Sequence, residues 1–285
     1  MLPHLRSGPE IVVLSDYGGE HRGAEVKTYA FLLLDRGASA QWFSGRDHWR
    51  RTSGIGHRRM EYKKLNDRIR RAELHRFLGA AQMLQGLLVI VALPSDTSFM
   101  WASGALDQEL QNLPGWKRGP AEKLLLVGHV ASLFVAGLTA PGQHVTWLSD
   151  RDSIAANQRM HREATEALAH ILSHYLDHEL GHFRFGTADS DPGDLHIEDL
   201  IAYCDLAAGA AAEALRAGGV ADRSDVSGKA RAIVSWLGWP GPGLKKLVVR
   251  LEEFEGATRF GVLGFNRTEA DLSKPEQGRR SPDAP

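Results

Sequence analysis

The chain has 285 residues, 43% of them hydrophobic and 24% charged, with a formal net charge of −1. That composition is of an ordinary globular protein, and so small a net charge excludes a global field that would force a nucleic-acid or membrane partner. One cysteine, Cys204, excludes an internal disulfide and fits a reducing compartment, so a cytoplasmic protein is expected.

In chain order, the first residues hold no apolar run of signal-peptide type. "EIVVLSD" (10–16), "TYAFLLLD" (28–35) and "SAQWFSG" (39–45) read as three strands joined by hairpins. Residues 67–85 mix Ile69, Leu74, Phe77, Leu78 and Met83 with charges, as an amphipathic helix does. "GLLVIVALPSD" (86–96) reads as a buried strand, followed by a helix over about 121–139 and a strand "HVTWLSD" (144–150). The apolar stretch 124–138 is interrupted by His129 and Ser132 and falls short of the roughly 18 apolar residues of a membrane span. No membrane partner is expected.

A long helix over about 153–180, a short strand "HFRFG" and an Ala-rich helix over 196–215 come next. After Gly218-Gly219 a helix "SGKARAIVSWLG" and a hairpin turning near Glu255-Gly256 are expected, and then a polar, Pro-containing tail. The pattern predicts an α/β domain over 10–217 with a mixed sheet, a small C-terminal appendage over 218–266, and a disordered tail over 267–285.

His178-Glu179-Leu180-Gly181-His182 matches the short signature of zinc peptidases, which place both histidines four apart on one helix with the glutamate as general base. Gly181 reads as a helix stop, and "HFRFG" alternates like a strand, so the two imidazoles are expected to diverge. The extended pattern wants Gly and His three and six residues past the second His, where this chain has Phe185 and Ala188. Glu198 would be the third ligand of another peptidase class. A zinc metallopeptidase is therefore the alternative reading, and a non-catalytic nucleic-acid-binding module a further one.

Carboxylates also fall at strand ends. Asp16 closes the first strand, Asp96 follows the run 86–93 and Asp150 closes "HVTWLSD". Strand-end carboxylates converge on one edge of an α/β sheet, where open sheets place their sites. Asp205 lies inside a helix, about 20° from Glu198 and 40° from Ile201 around its axis, on an apolar stripe. A charge there is costly unless it is paired or binds a metal. Residues 46–76 carry eleven Lys or Arg against four acids, with Trp49 and Tyr62 interleaved and Trp42 just before them. Arg58, Arg59, Lys63 and Lys64 are the candidate nucleic-acid contacts.

"IVVLSDYGG", "MEYKKLND", "VTWLSDRDS" and "EDLIAYCDLAAGA" follow one another in an order that resembles domain-of-unknown-function family 3800, itself similar to ribonuclease H-like nucleases. The resemblance covers about residues 10–215. Tyr17 stands where the family has an acidic residue, and Cys204 where it has Ala. It implies a ribonuclease H-like mixed sheet flanked by helices, and a nuclease hydrolysing phosphodiester bonds of DNA or RNA. It also implies two Mg2+ or Mn2+ ions held by Asp16, Glu61, Asp150 and Asp205. Asp96, which follows the strand after the first helix, competes with Asp150 as third ligand. Asp152 and Glu198 are the other candidates.

Overall fold

The structure is a computed structural model, which describes residues 4–96, 100–101, 104–150, 153–216 and 219–265. The chain starts as a meander. β1 (Glu10–Gly18) pairs antiparallel with β2 (Val26–Asp35), and β2 pairs antiparallel with β3 (Gly86–Pro94). Between β2 and β3 stand helices α1 (Ala40–Thr52) and α2 (Arg68–Ala80). α3 (Ala105–Gln111) and α4 (Arg118–Leu138) then lead to β4 (His144–Ser149), which lies parallel to β1. α5 (Gln158–Tyr175) connects to β5 (His182–Thr187), parallel to β4, and α6 (His196–Ala214) follows.

The remainder forms a small ladder of β6 (Leu215–Arg216) with β7 (Gly219–Val220), then α7 (Gly228–Leu237), β8 (Leu244–Phe254) and β9 (Ala257–Leu263). β8 pairs parallel with β3 and antiparallel with β9. The main sheet therefore runs β5-β4-β1-β2-β3-β8-β9, mixed in direction. The expected C-terminal helix and hairpin are present, and the hairpin continues the same sheet.

Both faces of the central strands are covered, which is why β1, β2 and β3 are apolar at nearly every position. Val12, Leu14, Ala30, Leu32, Leu88 and Ile90 point into one core with residues of α1, α2, α6 and α7. Ile11, Val13, Phe31, Leu33, Val89 and Val91 point into the other with α4 and α5. Each such Val, Leu, Ile or Phe side chain, fully buried, contributes about 1.5–3 kcal/mol of transfer free energy. α4 is long and apolar enough to cross a membrane by composition, contrary to the expectation for 124–138. Here it is a core helix, with Leu124, Val127, Ala131 and Val135 buried against the sheet.

Two other segments differ from the sequence reading. Residues 39–45, expected as a strand, begin α1, because Trp42, Arg46 and Trp49 bury one helical stripe that continues past 45. The long helix expected to reach about 180 runs only from Gln158 to Tyr175, with the Asn157 side chain accepting from the Met160 N–H at its start. Leu176 leaves it in an extended conformation, so His178 lies outside the helix that carries His170 and His174.

Candidate functional site: a carboxylate cluster at the end of β1

Asp16 sits near the C-terminal end of β1, at the rung where β1 meets Ala30 of β2. Side chains two apart on a strand share a face, so Asp16 lies on the α6 side with Val12 and Leu14. Asp150 is the residue after β4, and its N–H extends the ladder by donating to Ser15 O at 3.2 Å. Asp205 comes from α6, which lies close over β1 and β2. Thr28 Oγ1 donates to Ala208 O at 2.9 Å, and a Cβ on Gly18 would stand 2.9 Å from the same oxygen. The Cys204 thiol, buried, donates to Leu14 O at 3.4 Å. Ala207, Ala208 and Ala211 are small enough to permit this approach, and Asp205 is thereby set over the end of β1.

Glu61 arrives on a single turn of 3-10 helix, Tyr62–Lys64. The Tyr62 N–H donates to Asp205 Oδ2 at 2.6 Å, which fastens this turn to α6. Gly209 makes the contact possible, since a methyl group there would drive into the Tyr62 ring. The Tyr62 hydroxyl donates to Glu213, and Glu213 Oε1 accepts from the Ser227 N–H at 2.5 Å. Lys229 Nζ lies 4.3 Å from the Tyr62 ring centroid and donates to Tyr62 O at 3.1 Å. The start of α7 thus holds the turn that carries Glu61.

The electrostatics follow from burial. Burial raises the Asp16 carboxyl well above the usual carboxylate range, and the charges of Asp205 and Asp150 raise it further. The Tyr17 N–H at 2.7 Å and Lys123 act in the opposite direction. Asp205 is pushed up to about 6, chiefly by burial and also by Glu61 and Asp150, against the Tyr62 N–H and Lys63. Four half-buried carboxylates from four segments are thereby linked, Asp16 with Asp205 and Asp150, and Asp205 with Glu61 and Asp150. Among the described residues, no three His, Cys, Asp or Glu side chains are drawn close enough to enclose an ion as they stand.

The other candidates divide. Glu198 lies two turns before Asp205 on α6. One of its oxygens meets Arg59, while Oε2 is buried without a hydrogen-bond partner. Its carboxyl is raised by burial, against Arg59, with Asp191, Asp199 and Asp150 adding to the rise. Asp96 is not brought in. Asp16 shares a rung with Ala30 and Ile90, and Asp96 lies six residues beyond Ile90, roughly 20 Å along the strand direction. Asp150, rather than Asp96, stands with Asp16. Asp152 lies outside the described residues.

Of the cationic candidates, Arg59 pairs with Glu198, and Lys64 with Glu61 at 2.8 Å. Lys63 acts on Asp205, and the Arg58 guanidinium lies 3.4 Å from Gly54 O.

The peptidase signature does not form a ligand pair. His178 Nε2 meets Thr139 Oγ1 at 3.1 Å, while its Nδ1 meets Asp177 at 2.7 Å. His182 opens β5, and its ring stacks on His144 with centroids 3.7 Å apart. Glu179 offers its backbone oxygen to the Gly142 N–H. The helix that would carry both histidines on one face ends before either of them.

Two charged groups escape the sequence reading. Lys123 follows Glu122 at the head of the apolar run of α4. It is 9% exposed, pairs with Glu20 at 2.6 Å, and lies 4.2 Å from the Tyr17 ring centroid. Asp199 is fully buried on α6 between the Arg46 and Arg50 guanidiniums of α1. A charge among apolar helix residues was the only signal for either. Comparison with protein-family models gave no match, and a search of curated proteins found no relative of this chain.

Proposed function

We propose that the chain is a metal-dependent nuclease that hydrolyses phosphodiester bonds of nucleic acid, using Asp16, Glu61, Asp150 and Asp205. The observation that carries this reading is the gathering of half-buried carboxylates from four segments at the end of β1, where those of Asp16 and Asp205 are raised by burial and by neighbouring acids. Half-buried carboxylates that raise one another are suited to holding a cation or a proton. The donor set is all oxygen, which suits Mg2+ or Mn2+, and the unpartnered Glu198 Oε2 offers one further oxygen nearby. Such ions, bound by these carboxylates, would supply activation of a water and charge neutralisation at the phosphate. A mixed sheet with helices on both faces and strand-end carboxylates on one edge is the arrangement that the resemblance to ribonuclease H-like nucleases implies.

The chain's own groups have definable tasks in this reaction. Asp16 and Asp205 must be ionised to act, and because both carboxyls are raised, bound cations or higher pH favour that ionisation. The Tyr62 N–H keeps the Asp205 carboxylate oriented, and Lys63 and Arg59 beside the cluster attract the phosphate backbone. Calorimetric titration with Mn2+ tests the site. The wild type is expected to bind Mn2+ and Asp16→Asn to lose that binding; equal binding by both would refute the assignment.

A further inference from the structure

α6 covers β1 and β2, but beside it the same face of β4 and β5 opens into a cleft of about 940 Å³. The floor and near wall are apolar, formed by Val12, Leu148, Phe43, Ile197 and Leu200. Two guanidiniums line it, Arg36 just after β2 and Arg184 on β5. Both are exposed, and among the described residues neither has a hydrogen bond or ion pair. The acids of the wall are already engaged. Glu10 accepts from Thr146 Oγ1 at 2.7 Å, and Asp194 meets His196 Nδ1 at 2.7 Å. The cleft therefore presents two guanidiniums without direct partners, beside the engaged carboxylates of Glu10 and Asp194, above an apolar floor.

Strand register ties this cleft to the carboxylates. Leu34, Val12, Thr146 and Arg184 lie on one rung across β2, β1, β4 and β5, so their side chains share a face. Asp16 lies on that same face four residues further along β1, and Asp150 follows the end of β4 at the same distance from Thr146. The offset is about 13 Å, a span of roughly four stacked nucleotides at 3.4 Å each. Lys63 and Arg59 lie beside Asp205 and Glu198, so cationic groups flank the carboxylates on two sides.

Resting on the nuclease reading above, we propose that this cleft holds a single strand of the nucleic-acid substrate leading away from the carboxylates. Arg184 and Arg36 bind its phosphates, and its bases lie on the apolar floor. A single strand is the occupant because only unpaired bases can turn their faces onto Phe43 and Leu148, whereas a duplex hides them by stacking. Guanidiniums are the side chains best suited to phosphate oxygens, which they can meet with two parallel N–H donors.

Fluorescence anisotropy of a labelled oligothymidylate about 12 nucleotides long, in EDTA so that nothing is cut, tests this. The double variant Arg36→Gln/Arg184→Gln is expected to bind about tenfold more weakly at about 0.1 M salt. Its slope of log affinity against log salt should fall by about 1.4, the release expected for two phosphates of a single strand. Arg184→Lys keeps the charge and should retain most of the slope. Equal affinity and slope in the double variant, absence of oligothymidylate binding by the wild type, or tighter binding of a duplex of the same length would overturn the proposal. Adding Mg2+ separates the two claims. A wild type that cuts the strand while the double variant binds it unchanged overturns the cleft alone. Binding through the two arginines without any cutting supports the cleft and removes the nuclease reading.

Discussion

Tyr62 and Asp205 are joined by a backbone N–H donated to a carboxylate oxygen at 2.6 Å, a link between the 3-10 turn that carries Glu61 and the helix that closes the site. The closeness depends on Gly209, one turn after Asp205, whose missing side chain leaves room for the Tyr62 ring. Gly209→Ala should therefore lower the thermal stability by about 1–3 kcal/mol, the usual cost of overpacking. It should also weaken any metal-dependent activity by displacing Glu61. A variant that melts and acts like the wild type would show that the turn does not depend on this contact.

The raised carboxyls make a stability prediction whose sign is opposite to the common one. Asp205 titrates at about 6 when folded and near 4 when unfolded, so the folded chain holds a proton that the unfolded chain releases. The stability this provides is present below about pH 4 and is lost as pH rises through about 6. In EDTA the unfolding temperature should fall from about pH 5 to about pH 7 in the wild type. Asp205→Asn should flatten that step and be more stable than the wild type near neutral pH by about 1–3 kcal/mol. Melting curves across this range, without metal, decide the point; a rise in wild-type stability over the same range would refute it.

Asp199 is a structural charge. Its carboxylate accepts from Arg46 Nε at 2.6 Å and Arg50 Nε at 2.7 Å, with both guanidiniums nearly buried. Asp199→Ala leaves those cations without compensation and should cost about 3–5 kcal/mol in denaturant unfolding. A loss below about 1 kcal/mol, the range of an exposed pair, would mean that water reaches the arginines.

The four cations proposed from the sequence should not contribute equally. Lys64 is held by Glu61 and Arg59 by Glu198, whereas Lys63 acts on Asp205 at the centre of the cluster. Neutralising all four should weaken nucleic-acid binding and flatten its salt dependence. Among single variants, Lys63→Gln should lose more affinity than Lys64→Gln in the same binding assay. The reverse order would place the phosphates elsewhere on this surface.

His178→Ala and Glu179→Gln should leave metal content and nuclease activity nearly unchanged, because neither side chain belongs to the carboxylate cluster. Metal analysis after dialysis is the check. One equivalent of zinc that disappears in His178→Ala would revive the peptidase reading despite the divergent rings.

The sequence reading succeeded where a pattern is local. Apolar runs marked β1, β3, β4 and β5, and the hairpin turn was legible in Glu255-Gly256, which adopt φ of 53° and 75°. Residues 39–45 were misread because the strand-length window ended before Trp49 completed the helical stripe. The pairing of β3 with β8 joins residues more than 150 positions apart and has no local signature.

At the site, Asp16, Asp150 and Asp205 could be singled out by strand-end and apolar-stripe positions, whereas Glu61 came only from the family resemblance. Asp96 satisfied the same strand-end rule yet lies far off, because β3 extends well past the rung of Asp16. The rule names an edge and not a height along it. Lys123 and Asp199 depend on partners from other segments, which spacing within one helix does not disclose.

The most direct test of the central claim is cleavage of a labelled single-stranded oligonucleotide in Mg2+ or Mn2+ by the wild type, Asp16→Asn and Asp205→Asn, with folding checked by melting curves. The account predicts metal-dependent cutting by the wild type, abolished by EDTA, and a loss of at least about 100-fold in each variant, comparable to removing a major source of transition-state charge stabilisation. Cutting by both folded variants at the wild-type rate, or no cutting by the wild type with either metal, would contradict it.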